Sequence, residues 1–135
     1  MKKLYIDIDG VLITAKNSIA PLVIDRFIQF ITSNFDCYWL TTHCKGDLTH
    51  CLNYLKGYLS ENSISASSPV KATNWDTLKT EAINLEEQFF WLDYYVLSVE
   101  KKILEQAVKI DSLIPVDLCR ENELNRIIGI LKDKL

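Results

Sequence analysis

Two carboxylates close the first apolar run of the chain, in Leu4-Tyr5-Ile6-Asp7-Ile8-Asp9-Gly10-Val11-Leu12, and a glycine follows them at once. On a buried strand side chains alternate faces, so Asp7 and Asp9 are expected to leave the same side, with Cα atoms roughly 7 Å apart. Like charges held that close and partly desolvated raise each other's pKa unless a cation or a proton offsets them. A divalent metal between the carboxylates removes the strain. An Asx turn at a strand end uses the same residue types, so the pair gains meaning only from what other strands deliver beside it.

Two further apolar runs end in polar residues. Cys37-Tyr38-Trp39-Leu40 runs into Thr41-Thr42, and Gln88-Phe89-Phe90-Trp91-Leu92 into Asp93. With Leu4 to Ile8 these read as three buried strands. Helical spacing separates them. Pro21 opens a helix carrying Leu22, Val23, Phe27, Ile28, Phe30 and Ile31, which should stop near Ser33-Asn34. Asp47 is a good N-cap for a second helix with Leu48, Cys51, Leu52, Leu55 and Leu59 on one face. Ser60 to Pro69 reads as a polar connector. Thr73 or Thr77 can cap a short helix through Ile83, Val99 to Val108 reads as a helix, and Ile110 to Val116 as an edge strand, since Pro115 lacks a donor. Leu118 to Leu135 reads as a terminal helix.

Strands alternating with helices predict an α/β, Rossmann-like three-layer sandwich with a central parallel sheet. In such sheets ligands bind beyond the carboxyl ends of the strands. Asp7, Asp9, Thr41 and Asp93 are all expected there.

The 135 residues, 48% hydrophobic with a formal charge of −3, suit one domain, residues 1–135, with a substantial core. Scattered Lys and Arg speak against affinity won by neutralising a nucleic-acid backbone, although a local basic groove stays open. The Met-Lys-Lys start meets Asp7 too soon for a signal peptide or a membrane span, so the cytoplasm is the expected compartment. Cys37, Cys44, Cys51 and Cys119 form no C-x-x-C pair and are expected as reduced thiols. His43-Cys44 and His50-Cys51 repeat a pair seven residues apart and could offer zinc four ligands. Adjacent residues on a helix point in different directions, which argues against it.

These residues resemble the haloacid dehalogenase-like superfamily, whose members are mostly magnesium-dependent phosphohydrolases. Asp7-Ile8-Asp9-Gly10-Val11-Leu12 is similar to its first motif, Trp39-Leu40-Thr41 to its second, a lysine before the last core strand to its third, and Trp91-Leu92-Asp93 to its fourth. The resemblance implies that Asp7 is the nucleophile that forms an aspartyl-phosphate. Asp9 is then the acid that protonates the leaving oxygen and afterwards activates water. It implies Mg2+ held by Asp7, Asp93 and Asp9, the last also through its backbone carbonyl. Thr41 would donate to a phosphoryl oxygen, with Thr42 the alternative and Gly10 beside the phosphate. Either Lys71 or Lys79 could stabilise the transition state. Lys79 is favoured, because it lies at the first turn of the short predicted helix.

Tyr94 follows Asp93 where many members carry a second acid. That departure bears on turnover more than on fold. Neither gap between motifs can hold the family's cap domain, and a site open to water suits a large substrate, a phosphorylated protein or nucleic-acid end. The expected function is therefore a phosphohydrolase acting on a large phosphomonoester. The alternative is a low-turnover binding domain that recognises a phosphorylated partner. A phospho-receiver domain also joins acids, Thr and Lys, but spreads its acids over different strands.

Overall fold

Runs that are apolar at successive positions need cover on both faces, and a parallel sheet between helices supplies it. In the computed structural model, which describes Met1–Leu135, four such runs form β1 (Lys3–Ile6), β2 (Asp36–Trp39), β3 (Phe89–Asp93) and β4 (Leu113–Pro115). They pair in the order β2-β1-β3-β4 with every pair parallel. Ile6 lies opposite both Trp39 and Leu92, and Pro115 sits on the edge strand opposite Asp93.

Five helices flank the sheet: α1 (Ile24–Asn34), α2 (Leu48–Lys56), α3 (Glu61–Ala66), α4 (Ser98–Gln106) and α5 (Glu123–Lys132). Strand alternation divides the core in two. Leu4, Ile6, Trp39, Phe90 and Leu92 pack with Phe27 and Ile31 of α1, Leu55 of α2 and Ile127 of α5. Tyr5, Phe89 and Trp91 point to the other face, where they meet Leu104 of α4, Trp75 and Ile83. The chain is thus an α/β sandwich of helices on both sides of a parallel sheet.

Several boundaries differ from the sequence reading, each for a local reason. β1 ends at Ile6 rather than Ile8, because the Ile8 carbonyl accepts the N–H groups of Val11, Leu12 and Ile13 and curls the chain into a turn. The polar stretch after Leu59 is not all connector. Ser60 caps α3 by accepting the Ser63 N–H at 3.1 Å, and the buried Ser63 hydroxyl donates to Asp25 of α1. Serine is small enough to pack where an apolar stripe was the expected signal. Ile110–Ser112 is a single 3-10 turn, so β4 is only Leu113–Pro115. The terminal helix starts at Glu123 rather than Leu118, after Asn122 takes a φ of 56°. Instead of the short helix sought near Thr73 or Thr77, a 3-10 turn spans Lys79–Ala82, where the Glu81 carboxylate accepts the N–H groups of Asp76, Thr77 and Leu78. Asp47 does cap α2, accepting from the Thr49 N–H at 2.9 Å.

Candidate active site

The strand order places the end of β1 between the ends of β2 and β3, so Asp7 has Thr41 on one side and Asp93 on the other. Asp7 stays tied to that edge after the strand ends, its N–H donating to the Leu92 carbonyl at 3.1 Å. The Lys79 ammonium lies between the two acids, 3.0 Å from Asp7 Oδ2 and 2.7 Å from Asp93 Oδ2. Glu100 aims it there. This buried carboxylate accepts the Lys79 N–H at 2.7 Å and the Leu97 N–H at 3.0 Å, joining the Lys79–Ala82 turn to the start of α4. Lys71 is elsewhere: it pairs with Asp36 at 2.9 Å, at the opposite end of the sheet, where Asp36 faces Lys3.

The charges in this cluster do not balance. Asp93 is only 1% exposed. Burial and the neighbouring Asp7 charge push its carboxyl up to about 7, against Lys79 and the Tyr95 N–H, which favour the ionised form. Burial works against the Lys79 ammonium too, yet the charges of Asp7 and Asp93 outweigh it and hold the lysine above its ordinary range. One ammonium serves two carboxylates. The site therefore carries a surplus of negative charge that a proton or a further cation can offset.

Asp9 has partners of its own, apart from the Lys79 pair. Because β1 stops at Ile6, Asp7 and Asp9 lie beyond the regular strand, in the turn that follows it. The Asp9 carboxylate is held by Tyr54 and His43, at 2.7 and 2.8 Å. Burial, followed by the hydrogen bond to Asp9, pushes the Tyr54 hydroxyl well above the usual tyrosine range, so it stays protonated as a donor. Gly10 has a φ of +85°, and a Cβ there would lie 2.3 Å from the Tyr94 Cβ. Both the turn and the close approach of Tyr94 require glycine. Thr41 is fully buried, and its hydroxyl oxygen accepts the His43 N–H at 3.3 Å, leaving its hydrogen free to donate. Thr42 is exposed and lines a cavity of about 240 Å³ with Trp75, Thr77, Lys79 and Tyr95.

The donors present suit a hard divalent ion better than a soft one. No three His, Cys, Asp or Glu side chains form a ligand cluster, and Cys44 and Cys51 of the His-Cys repeat are buried in the core. Magnesium commonly takes one or two carboxylates and fills its octahedron with water and phosphate. Asp7 and Asp93 provide that pair, and the surplus charge between them favours a cation. With the Asp9 side chain engaged by Tyr54 and His43, its share in such a site falls to the backbone carbonyl, which accepts no hydrogen bond within the chain.

His43, Tyr54 and Glu100 did not emerge from the sequence as site residues. His43 carries a signal, lying two positions after Thr41, but in the sequence it reads only as a zinc ligand. Compared with protein-family models, curated proteins and solved structures, the chain finds no match. No helix is long and apolar enough to cross a membrane.

Proposed function

We propose that the chain is a magnesium-dependent phosphohydrolase of the haloacid dehalogenase-like kind, with Asp7 as its nucleophile. The observation that carries this reading is the Lys79 ammonium held between Asp7 and Asp93 at the ends of adjacent parallel strands. An ammonium so placed keeps Asp7 ionised for attack and faces the negative charge that gathers on a phosphoryl group in transfer.

In this reading an Asp7 carboxylate oxygen bonds to phosphorus as the bond from phosphorus to the substrate oxygen breaks, and that oxygen takes the proton of Asp9. Asp9, now ionised, takes a proton from water. The water oxygen bonds to phosphorus, the bond to Asp7 breaks, and inorganic phosphate leaves with both acids restored. Thr41 donates its hydroxyl to a phosphoryl oxygen, while Gly10 and Thr42 border the phosphate. Magnesium, held by Asp7, Asp93 and the Asp9 carbonyl, would offset the repulsion between carboxylate and phosphate.

Between Asp9 and Thr41 the chain forms α1 and its lead-in, and between Thr41 and Lys79 α2 and α3, so neither segment is a separate lid. A phosphorylated protein or nucleic-acid end would then supply through remote contacts the orientation that closure supplies elsewhere. The test is phosphate release with magnesium from small phosphomonoesters, phosphopeptides, and 3′- or 5′-phosphorylated oligonucleotides. A macromolecular substrate is expected to show a kcat/KM at least about tenfold higher, roughly 1.4 kcal/mol of transition-state binding. EDTA should abolish release and magnesium restore it. Asp9→Asn should accumulate phosphate on Asp7. If a free nucleotide or sugar phosphate is turned over best, the large-substrate reading falls. A second reading, binding without turnover, draws on Tyr94, which occupies the place of a second acid and packs against Gly10; tight binding of a phosphorylated ligand with no release would favour it.

A further inference from the structure

Asp9 is gripped at both oxygens. The Tyr54 hydroxyl donates to Oδ1 at 2.7 Å, and His43 Nε2 lies 2.8 Å from Oδ2. Whenever Asp9 is ionised it only accepts, and the ring nitrogen facing it then carries the hydrogen. The two rings stack on one another with centroids 3.6 Å apart and planes 12° from parallel. Each is anchored separately. Tyr54 stands on α2 between the buried Cys51 and Leu55, and the His43 backbone is tied to Thr41 at the end of β2. Asp9 itself comes from the turn after β1, so the clamp joins that turn to α2 and to the chain leaving β2.

A carboxyl that gives a proton to one oxygen and later takes one from another needs a set direction more than it needs charge. Each carboxylate oxygen has two lone-pair directions. The clamp takes one on each and leaves the others for the travelling proton. We propose that His43 and Tyr54 are positioning residues that aim the Asp9 carboxyl at the leaving oxygen, and that the clamp fits the site to alkyl phosphomonoesters, whose alkoxide leaving groups need that proton. This inference rests on the phosphohydrolase reading. Its consequence is specific to the leaving group: an alkoxide depends on the clamp, whereas a phenolate such as p-nitrophenolate depends on it far less.

The experiment compares turnover of a simple alkyl phosphate and of p-nitrophenyl phosphate by wild type, Tyr54→Phe, His43→Phe, His43→Gln and Asp9→Asn, with a thermal melt of each. Both Phe variants keep an aromatic ring for the stack and lose one donor. Each is expected to lower kcat on the alkyl ester by about tenfold, equivalent to roughly 1.4 kcal/mol, and on the aryl ester by several-fold less, with KM little changed. Asp9→Asn sets the upper limit of that divergence, and His43→Gln, which retains an N–H donor, should recover part of it. Equal losses on both esters, or no loss on either, would overturn the inference while leaving an active wild type and its reading intact. A wild type inactive on alkyl, aryl and macromolecular phosphates alike overturns the phosphohydrolase reading, and the clamp's role falls with it.

Discussion

Asp93 and Glu123 are buried almost equally, 1% and 3% exposed, yet their acidities move in opposite directions. Glu123 accepts from Arg126 Nε at 2.6 Å, from Arg126 Nη2 at 2.8 Å and from the Asp117 N–H at 2.8 Å. The Arg126 hydrogen bond, outweighing burial, holds its carboxyl below the usual range. It is a finished structural device, a forked ion pair that ties the start of α5 to the chain leaving β4. Asp93 has donors too, Lys79, the Trp91 indole and the Tyr95 N–H, but it shares its only cation with Asp7. A carboxylate left in deficit beside another, at the end of a parallel strand, is what a phosphoryl site with a metal would require. Burial alone does not distinguish the two; the balance of partners does.

The largest expected effect comes from breaking the deficit at its source. Asp7→Asn should lower magnesium-dependent phosphate release on the order of 10³-fold or more, because no other group replaces the attacking oxygen. It should also draw the Asp93 titration downward, toward the behaviour of Glu123, since the Asp7 charge is one of the causes that raise it. Phosphate assay and carboxyl NMR read the two results. Full activity in Asp7→Asn would exclude the covalent route.

Removing the cation on each side gives the next contrast. Lys79→Met leaves two buried carboxylates unpaired and should cost about 3–5 kcal/mol in metal-free protein at pH 8. The cost should shrink near pH 5, where a proton can take the place of the ammonium. Arg126→Met should cost less, since it leaves one buried carboxylate rather than two, and Glu123 keeps the Asp117 N–H and has Arg120 at 3.8 Å,. Urea unfolding of both variants at the two pH values checks this. Equal losses would mean that the two ion pairs do the same job.

This contrast also marks what was legible in the sequence. The three strands and their polar ends could be read from short apolar runs, because both faces of a parallel sheet are covered and the run stops where cover stops. A lysine near Asp7 and Asp93 followed only from the resemblance. Which lysine was not a local matter: Glu100 catches the Lys79 N–H from 21 positions away. The early end of β1, before Asp7 and Asp9, goes with three N–H groups converging on the Ile8 carbonyl, a turn that period-two alternation does not foresee. Tyr54 gave little signal, since an aromatic beside the apolar stripe of α2 reads as packing. Ser63 gave none, because a buried serine satisfied by Asp25 looks like linker.

The smallest effect is the pH profile of metal-free stability, and it separates the two acids by sign. Glu123 has a folded pKa below its ordinary 4.5, so the folded state releases that proton more readily than the unfolded chain. Its stabilisation is present above about pH 4.5 and is lost as pH falls through the lowered folded value. Asp93 is the reverse: raised from 3.8 to about 7, it holds its proton more tightly when folded, and its contribution is present below pH 3.8 and lost as pH rises toward 7. Wild type should therefore lose stability in both directions from an optimum in weak acid. Glu123→Gln should make the acid limb shallower, since Asp36, Glu81 and Glu87 are also held below their ordinary range, and should leave the neutral one, while Asp7→Asn should flatten the neutral limb by relieving Asp93. Saturating magnesium should do the same to wild type, because a bound cation replaces the proton that Asp93 otherwise retains. Urea titrations from pH 3 to 8, with and without magnesium, read these slopes. A neutral limb unchanged by both Asp7→Asn and magnesium would show that the deficit at Asp93 is met by groups other than Asp7, and the contrast with Glu123 would then be one of degree only.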